Sequence, residues 1–349
     1  MLDYLIIGQG VAGSCFALKC LKEKKSFIVI DQNQNMASSV AVGIYNPVVL
    51  KRFSLIWNAV EQLKLMHKYF SEFEDLLGDQ FIEEMPTYRI LKNQDEINAW
   101  EKKSALPELV PFLSDEFRNS TNDHLQTPFG FAEVKQTGRI HLGKCISLFR
   151  NYLTERNLYR NESFDYSELK VGDGEIIYKE TRAKNIIFCE GFHVLNNPYF
   201  NYLPVIGVKG EVLEIKTATQ IPKAIWKAHN FLMPETGDIC LTASTYDRDD
   251  LTYEPTQKGR QEMQLHLEEI YSGDYKIMNQ KAGIRPTIVD RRPILGCHPE
   301  YSRLFILNGM GTRGTLLAPQ MTELLFEHIE IGKTITKEAD VRRFDKFWK

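Results

Sequence analysis

The sequence predicts a mixed α/β protein (α+β overall). A parallel α/β layer is drawn from both ends of the chain, and a second, largely antiparallel sheet comes from its middle. Two observations carry this. At the amino end, a β-rich run, a glycine turn, a helical stretch and a second β-rich run follow one another within about thirty residues. From residue 204 to 245, β-rich runs succeed one another with no helix between them, which points to antiparallel pairing rather than crossover connections. The 349 residues allow about two domains.

Composition narrows the class. Lys plus Arg is 43 and Asp plus Glu is 46, a net charge of −3. That near balance gives no basis for a polyanion-binding surface. With 43% hydrophobic and 26% charged residues, the chain is a globular one with a core, not a disordered one. No run approaches 18 consecutive apolar residues, so no membrane-spanning helix is expected. The apolar start MLDYLIIGQGVAG lacks a basic n-region, so no signal peptide is expected. The six cysteines, Cys15, Cys20, Cys145, Cys189, Cys240 and Cys297, are widely spread with no CxxC pair. They read as reduced, mostly buried thiols of a cytoplasmic protein, with no metal site.

The amino end reads residue by residue. DYLIIG forms a strand, and Gly8-Gln9-Gly10-Val11-Ala12-Gly13 leads into a helix with apolar spacing at Val11, Cys15, Leu18 and Leu21. A second strand, Ser26 to Ile30, ends in Asp31. Gly8 permits the tight turn, Gly10 lets the backbone approach a pyrophosphate, and Gly13 lets helix and strand pack closely. The helix N-terminus offers N–H groups and partial positive charge to the phosphates. Asp31, 23 residues past Gly8, can accept hydrogen bonds from ribose hydroxyls. The pattern predicts a Rossmann-type dinucleotide site with Gly8, Gly10, Val11, Ala12, Gly13, Asp31 and Gln32 as contacts. The competing reading is a glycine-rich turn in an unrelated α/β fold. The motif alone does not separate FAD from NAD; its place at the amino end favours FAD.

Residues 36–50, MASSVAVGIYNPVVL, form a small, polar segment. Ser38 and Ser39 can donate hydrogen bonds and Gly43 allows close approach to a flat ring; an ordinary loop is the alternative. Lys51 and Arg52 are either solvent-facing or a cationic edge to the site. Residues 55–77 read as an amphipathic helix stopped by Gly78, and residues 85–135 as an insertion outside the nucleotide-binding core. His141 reads as a loop or capping residue before a helix from 143 to 156. The strand AKNIIFCEG ends in Gly191, a second candidate contact to the nucleotide-binding layer. VIGVKGEVLEIK, AIWKAHNFLMP and DICLTASTY supply the later β runs, and residues 257–270 return to a helix. His229 reads as a structural histidine.

In the last third, AGIRPTIVDRRPILG precedes the strand Leu304 to Asn308. Gly309-Met310-Gly311-Thr312-Arg313-Gly314-Thr315 follows, then a helix over 316–329 with Pro319 in its first turn. A strand again runs through glycines into a helix N-terminus, an arrangement that stabilises negative charge on a ligand.

GQGVAG with Asp31, ASSVAVG, VKGEV, TASTYDRDD, AGIRPTIVDRRPILG and GMGTRGTLLAPQMTELL occur in the order seen in the D-amino-acid oxidase (DAO) superfamily, which the chain resembles over nearly its whole length. It looks most like the glycine oxidase and sarcosine oxidase branch, and also resembles the FAD-dependent domain of the bifunctional tRNA 5-methylaminomethyl-2-thiouridine enzyme. The resemblance implies FAD and an amine or amino acid substrate. It places flavin-ring contacts at Ser38, Ser39, Gly43, Gly309, Gly311, Thr312, Gly314 and Thr315. It makes Arg285 the clamp on a substrate carboxylate, Arg313 a second polar contact beside the flavin, and Tyr246 a weaker match to a site tyrosine. Arginine suits a carboxylate because its planar fork donates two parallel hydrogen bonds. For Arg285 the alternative is a structural ion pair with an acid such as Asp290; for Tyr246 it is a place on the core edge. The Arg291-Arg292 pair reads as a solvated turn or an ion-pair element.

Two segments depart from the superfamily pattern: FCEGF puts Glu190 where AAGAW is usual, and IYNPVVLKR follows Gly43. Cys297 is not in the context of a flavin-linked cysteine, so non-covalent FAD is expected. The expected organisation is a discontinuous FAD domain from 1–84, 136–203 and 280–349, and a substrate domain from 85–135 and 204–279. The leading expectation is an oxidoreductase that takes a hydride from the carbon bearing nitrogen in a small amino acid or secondary amine. Its imine product is then hydrolysed, and oxygen or another acceptor takes the electrons. One alternative acts on a carboxymethylaminomethyl-modified tRNA uridine. Another, of a different class, is an electron-transfer or non-catalytic flavoprotein.

Overall fold

A computed structural model describes residues 1–34 and 37–348. Met36, at the head of the 36–50 segment, and Lys349, at the end of the expected FAD domain, lie outside the described residues. The mixed α/β architecture has two eight-stranded sheets. Strand β1 (Leu2–Ile7), helix α1 (Val11–Lys22) and strand β2 (Phe27–Asp31) fall where the sequence puts them. β1 lies in the middle of a parallel core, in the order Tyr159–Asn161, β2, β1, Thr181–Phe188, Leu304–Asn308. Tyr4 to Ile7 are buried, as expected of an apolar run covered on both faces. On one face, α1 and the helices Ala59–Leu77, Leu142–Glu155 and Gly314–Ile331 share one apolar core.

The second sheet runs Tyr275–Ile288, Val205–Thr217, Ile239–Ala243, Phe231–Thr236, Ile225–Lys227, Thr87–Ile90, Phe131–Val134, Leu113–Arg118. Its pairings are antiparallel except that of Ile225–Lys227 with Thr87–Ile90. The middle insertion and the 205–243 region therefore build one sheet. Residue 280, the boundary expected from sequence, falls inside the strand Tyr275–Ile288, whose pairing with Val205–Thr217 continues to Ile288.

Local differences from the sequence reading have physical causes. The helix expected from 55 begins at Ala59, because Ser54–Leu55 pairs with Val48–Val49 and Asn58 sits at φ 51°. It ends as expected at Gly78, at φ 68°, with its N–H on the Glu74 carbonyl. The AIWKAHNFLMP run is not one strand: it folds back at Ala228 to Asn230, so that Lys227 faces Phe231. Pro319 lies at the sixth position of Gly314–Ile331, since that helix starts two residues before the expected point. All six cysteines are free thiols. No helix among the described residues is long and apolar enough to cross a membrane.

Gly13 is where the parallel layer is tightest. A Cβ there would stand 1.9 Å from the Gly8 carbonyl oxygen and 3.3 Å from the Cys189 side chain. Gly13→Ala must push α1 off the sheet, an overpacking cost of ~1–3 kcal/mol. Thermal unfolding of the variant is expected to fall by a few degrees; an unchanged midpoint would mean that the contact relaxes freely.

Candidate functional site

A cavity of about 520 Å³ opens at the carboxyl ends of the parallel strands and reaches the second sheet. Ligand sites of open α/β sheets lie at such strand ends. The glycine turn forms one wall. Gly8 adopts φ 95°, where a Cβ would stand 2.5 Å from the Cys189 carbonyl oxygen. At Gly10 the N-terminus of α1 has no capping side chain of its own. Instead, the Val11 N–H donates to Ser38 Oγ at 3.1 Å. The Asp31 carboxylate accepts from the Gln9 N–H at 2.8 Å and the Asn33 N–H at 2.6 Å. It thus braces the turn while remaining on the cavity wall.

The second glycine loop closes the cavity from the carboxyl end. Gly311, Thr312, Gly314 and Thr315 are on the wall, and the Gly311 N–H donates to the Pro286 carbonyl at 3.0 Å. Asn308 Nδ2 donates to the Gly191 carbonyl at 2.8 Å, tying this loop to the end of Thr181–Phe188. Gln32, Ala12, Gly43 and Gly191 also line the cavity.

Arg285 is brought to the wall by sheet register. It lies opposite Val208 on Val205–Thr217, two pairs from Gly210 opposite Gly283. Its guanidinium fills the space a side chain at Gly210 would need: a Cβ there would lie 1.8 Å from Nη2. Nη2 donates to Ser244 Oγ at 2.6 Å and Nη1 to the Thr245 carbonyl at 3.3 Å. Among the described residues no carboxylate pairs with it; Asp290 instead holds Arg343 at 2.9 Å. Burial draws the Arg285 guanidinium below its ordinary pKa. A partly desolvated cation with only neutral partners is costly, and its charge is available to an anion. Val42, Ile44, Val212, Phe231 and Ala243 supply apolar wall in the same cavity.

Five expected site residues are off the wall. Gly13 serves packing, as described above. Gly309 turns the chain at φ 74°, where a Cβ would meet Ile288. Ser39 is exposed, with its carbonyl facing Gly143. Arg313 is half-buried, and its Nη1 donates to the Asn46 carbonyl at 3.1 Å. Tyr246 is 49% exposed under the Arg248 guanidinium, next in sequence to Thr245, whose carbonyl Arg285 holds. Lys51 and Arg52 face solvent. His141 occupies the N-cap of Leu142–Glu155 and lies 3.2 Å from Glu83. His229 is exposed and stacks on His266 at 3.9 Å. With Glu269 these two form a cluster of metal-ligand types. The two rings are nearly parallel, and Glu269 also pairs with Lys92 at 3.4 Å. Sequence reasoning missed Gly210 and Ser244, although VKGEV and TASTY were both singled out. Their roles follow from pairing across the sheet.

The sequence profile of the DAO family, described as FAD dependent oxidoreductase, matches residues 3–328. The chain belongs to this family and is an FAD-dependent oxidoreductase. It is 25% identical over 368 residues to glycine oxidase of Bacillus subtilis, covering 96% of this chain and 95% of that protein. It is 24% identical over 166 residues to the tRNA 5-methylaminomethyl-2-thiouridine biosynthesis bifunctional protein of Idiomarina loihiensis, covering 45% of this chain and 26% of that protein. The chain spans less than half the length of the bifunctional relatives it matches. In fold it is similar to the crystal structure of glycine oxidase from Geobacillus kaustophilus, with a TM-score of 0.81, 18% identity and 96% of each chain covered.

The cavity fits FAD. The missing Cβ of Gly10 and the α1 N-terminus suit a diphosphate, and Asp31 suits a ribose. Gly210→Ala is expected to displace the Arg285 guanidinium and weaken a small carboxylate ligand about tenfold (~1.4 kcal/mol), with flavin content unchanged. Titration of the holoprotein with the carboxylate, followed by the flavin spectrum, checks this; equal affinity would contradict it.

Proposed function

We propose that this protein oxidises the C–N bond of a small amino acid or N-substituted amino acid, held by its carboxylate on Arg285. The observation that carries the reading is a half-buried arginine on the cavity wall with a serine hydroxyl and a carbonyl, but among the described residues no acid, for partners. FAD bound there supplies a two-electron acceptor for the carbon that bears nitrogen. The chain's part is to bind and orient. Gly8, Gly10, Val11, Ala12, Asp31, Gln32 and Ser38 would hold the nucleotide end, and Gly43, Gly191, Gly311, Thr312, Gly314 and Thr315 would border the rest. Arg285 would fix the substrate carboxylate, with Ser244 setting the plane of its fork. Phe231, Ile44 and Val42 would exclude water from the reacting carbon. Arg313 would act by holding the Asn46 carbonyl, and Tyr246 from the exposed side of Thr245.

Non-covalent binding is part of this proposal. Cys189 is the cysteine on the wall, and burial raises its thiol well above the ordinary range, so it is not a thiolate nucleophile. The free cysteines support a reducing, cytoplasmic setting. The relatives named for tRNA 5-methylaminomethyl-2-thiouridine biosynthesis favour a second reading, in which a carboxymethylaminomethyl uridine presents the same carboxylate to Arg285. That substrate would give turnover that falls steeply with salt, whereas a free amino acid would not.

The test is anaerobic titration of the purified holoprotein with glycine, N-methylglycine, small D-amino acids and modified tRNA. Bleaching of the flavin by one of them is the expected result. No bleaching by any would leave an electron-transfer or non-catalytic flavoprotein. Arg285→Lys is expected to raise KM about 100-fold (~3 kcal/mol) through loss of the bidentate contact, with flavin content intact. An unchanged KM would remove Arg285 from the site.

A further inference from the structure

We propose that Glu190 faces the bound cofactor and takes up a proton when FAD enters the cavity. The inference rests on FAD occupying this cavity. Glu190 lines it at the end of Thr181–Phe188, the parallel neighbour of β1. The position is close to the phosphate turn, since a Cβ on Gly8 would stand 3.4 Å from Glu190 Cα. A diphosphate on that turn brings two negative charges beside this carboxyl.

The carboxyl is held by neutral donors only. Tyr166 Oη–H donates to one oxygen, and Asn197 Nδ2 donates to the other at 2.7 Å. Among the described residues, the charged and titratable groups around it offer no compensating cation. Asp31 at the end of β2 and Glu162 are acids on the same wall, and Glu162 is neutralised by Lys179 at 2.7 Å. His193, on the turn after Glu190, is 3.3 Å from Tyr253 Oη. The Cys189 thiol is held protonated by burial. Arg285, across the cavity on the second sheet, makes no ion pair with Glu190 and donates to Ser244 and Thr245 instead. In the free protein, burial pushes the Glu190 carboxyl up to about 7, against the opposing pull of Tyr166 and Asn197. Two phosphate charges raise it further. Binding and protonation are therefore linked: the more FAD is bound, the more of Glu190 is neutral, and the reverse.

The sign follows. Below about pH 7 Glu190 is already protonated and the FAD affinity is flat. Above it, each binding event takes a proton from solvent, and Kd rises by up to tenfold per pH unit until the bound form itself ionises. The flavin-stripped full-length protein is titrated with FAD from pH 6 to 9, followed by flavin fluorescence. Calorimetry at pH 8 in buffers of different ionisation enthalpy counts the protons. The expected result is uptake approaching one proton. Glu190→Gln should flatten the profile, abolish the uptake and bind FAD several-fold tighter than the parent at pH 8.5. Tyr166→Phe removes a donor to the ionised form and should move the break in the profile to higher pH. An equal pH slope in parent and Glu190→Gln, or no proton uptake by the parent, would overturn the proposal while leaving FAD binding intact. Failure to take up FAD at any pH would overturn it together with the assignment of the cavity.

Discussion

The structure hangs on three backbones meeting at one point. Gly13 on α1, Gly8 at the end of β1 and Cys189 beyond the neighbouring strand lie so close that a single methyl group at Gly13 or Gly8 would collide with a carbonyl oxygen. This contact sets α1 against the sheet and aims its N-terminus at the cavity. It also leaves Glu190 beside the phosphate turn. Each close approach needs a glycine on one side, Gly13 against the Gly8 carbonyl and Gly8 against the Cys189 carbonyl, and the cavity inherits its shape from that requirement.

A second constraint of the same kind shapes the other end. Gly210 and Arg285 come from different strands, and the guanidinium lies where a side chain at Gly210 would be. The absence of a Cβ admits a half-buried cation whose partners are a hydroxyl and a carbonyl. An arginine in that state is a poor structural element and a good anion site, because its desolvation is offset only when a ligand arrives. The apolar residues around it strengthen the attraction by keeping water out.

Much of the architecture was legible because it depends on local order. The nucleotide-binding unit needs only a strand, glycines at fixed spacing, a helix and an acid, all within a short stretch. Leu304–Asn308 matches the sequence reading residue for residue, and Gln257–Glu268 nearly so. The failures were also local in appearance but tertiary in cause. The helix start at Ala59 was decided by a strand pair at Ser54–Leu55, and the break at Ala228 to Asn230 by a hairpin. Gly309, which the resemblance gives as a flavin-ring contact, lies off the cavity wall, at a positive φ where a Cβ would meet Ile288.

The sequence by itself determined the dinucleotide-binding unit and the two-sheet plan, because spacing along the chain is what places a turn, a helix N-terminus and an acid together; FAD in particular came from the family resemblance. Only the tertiary structure decided which side chains share the cavity. Arg285 reaches the wall through register between strands far apart in sequence, Asp290 is taken by Arg343 from the short helix Val341–Phe347, and Tyr246 lies off the wall beyond the strand Ile239–Ala243. The same register puts Glu190 near Gly8. Distances across a sheet depend on hydrogen-bond pairing between distant segments, and no pattern within either segment contains that pairing.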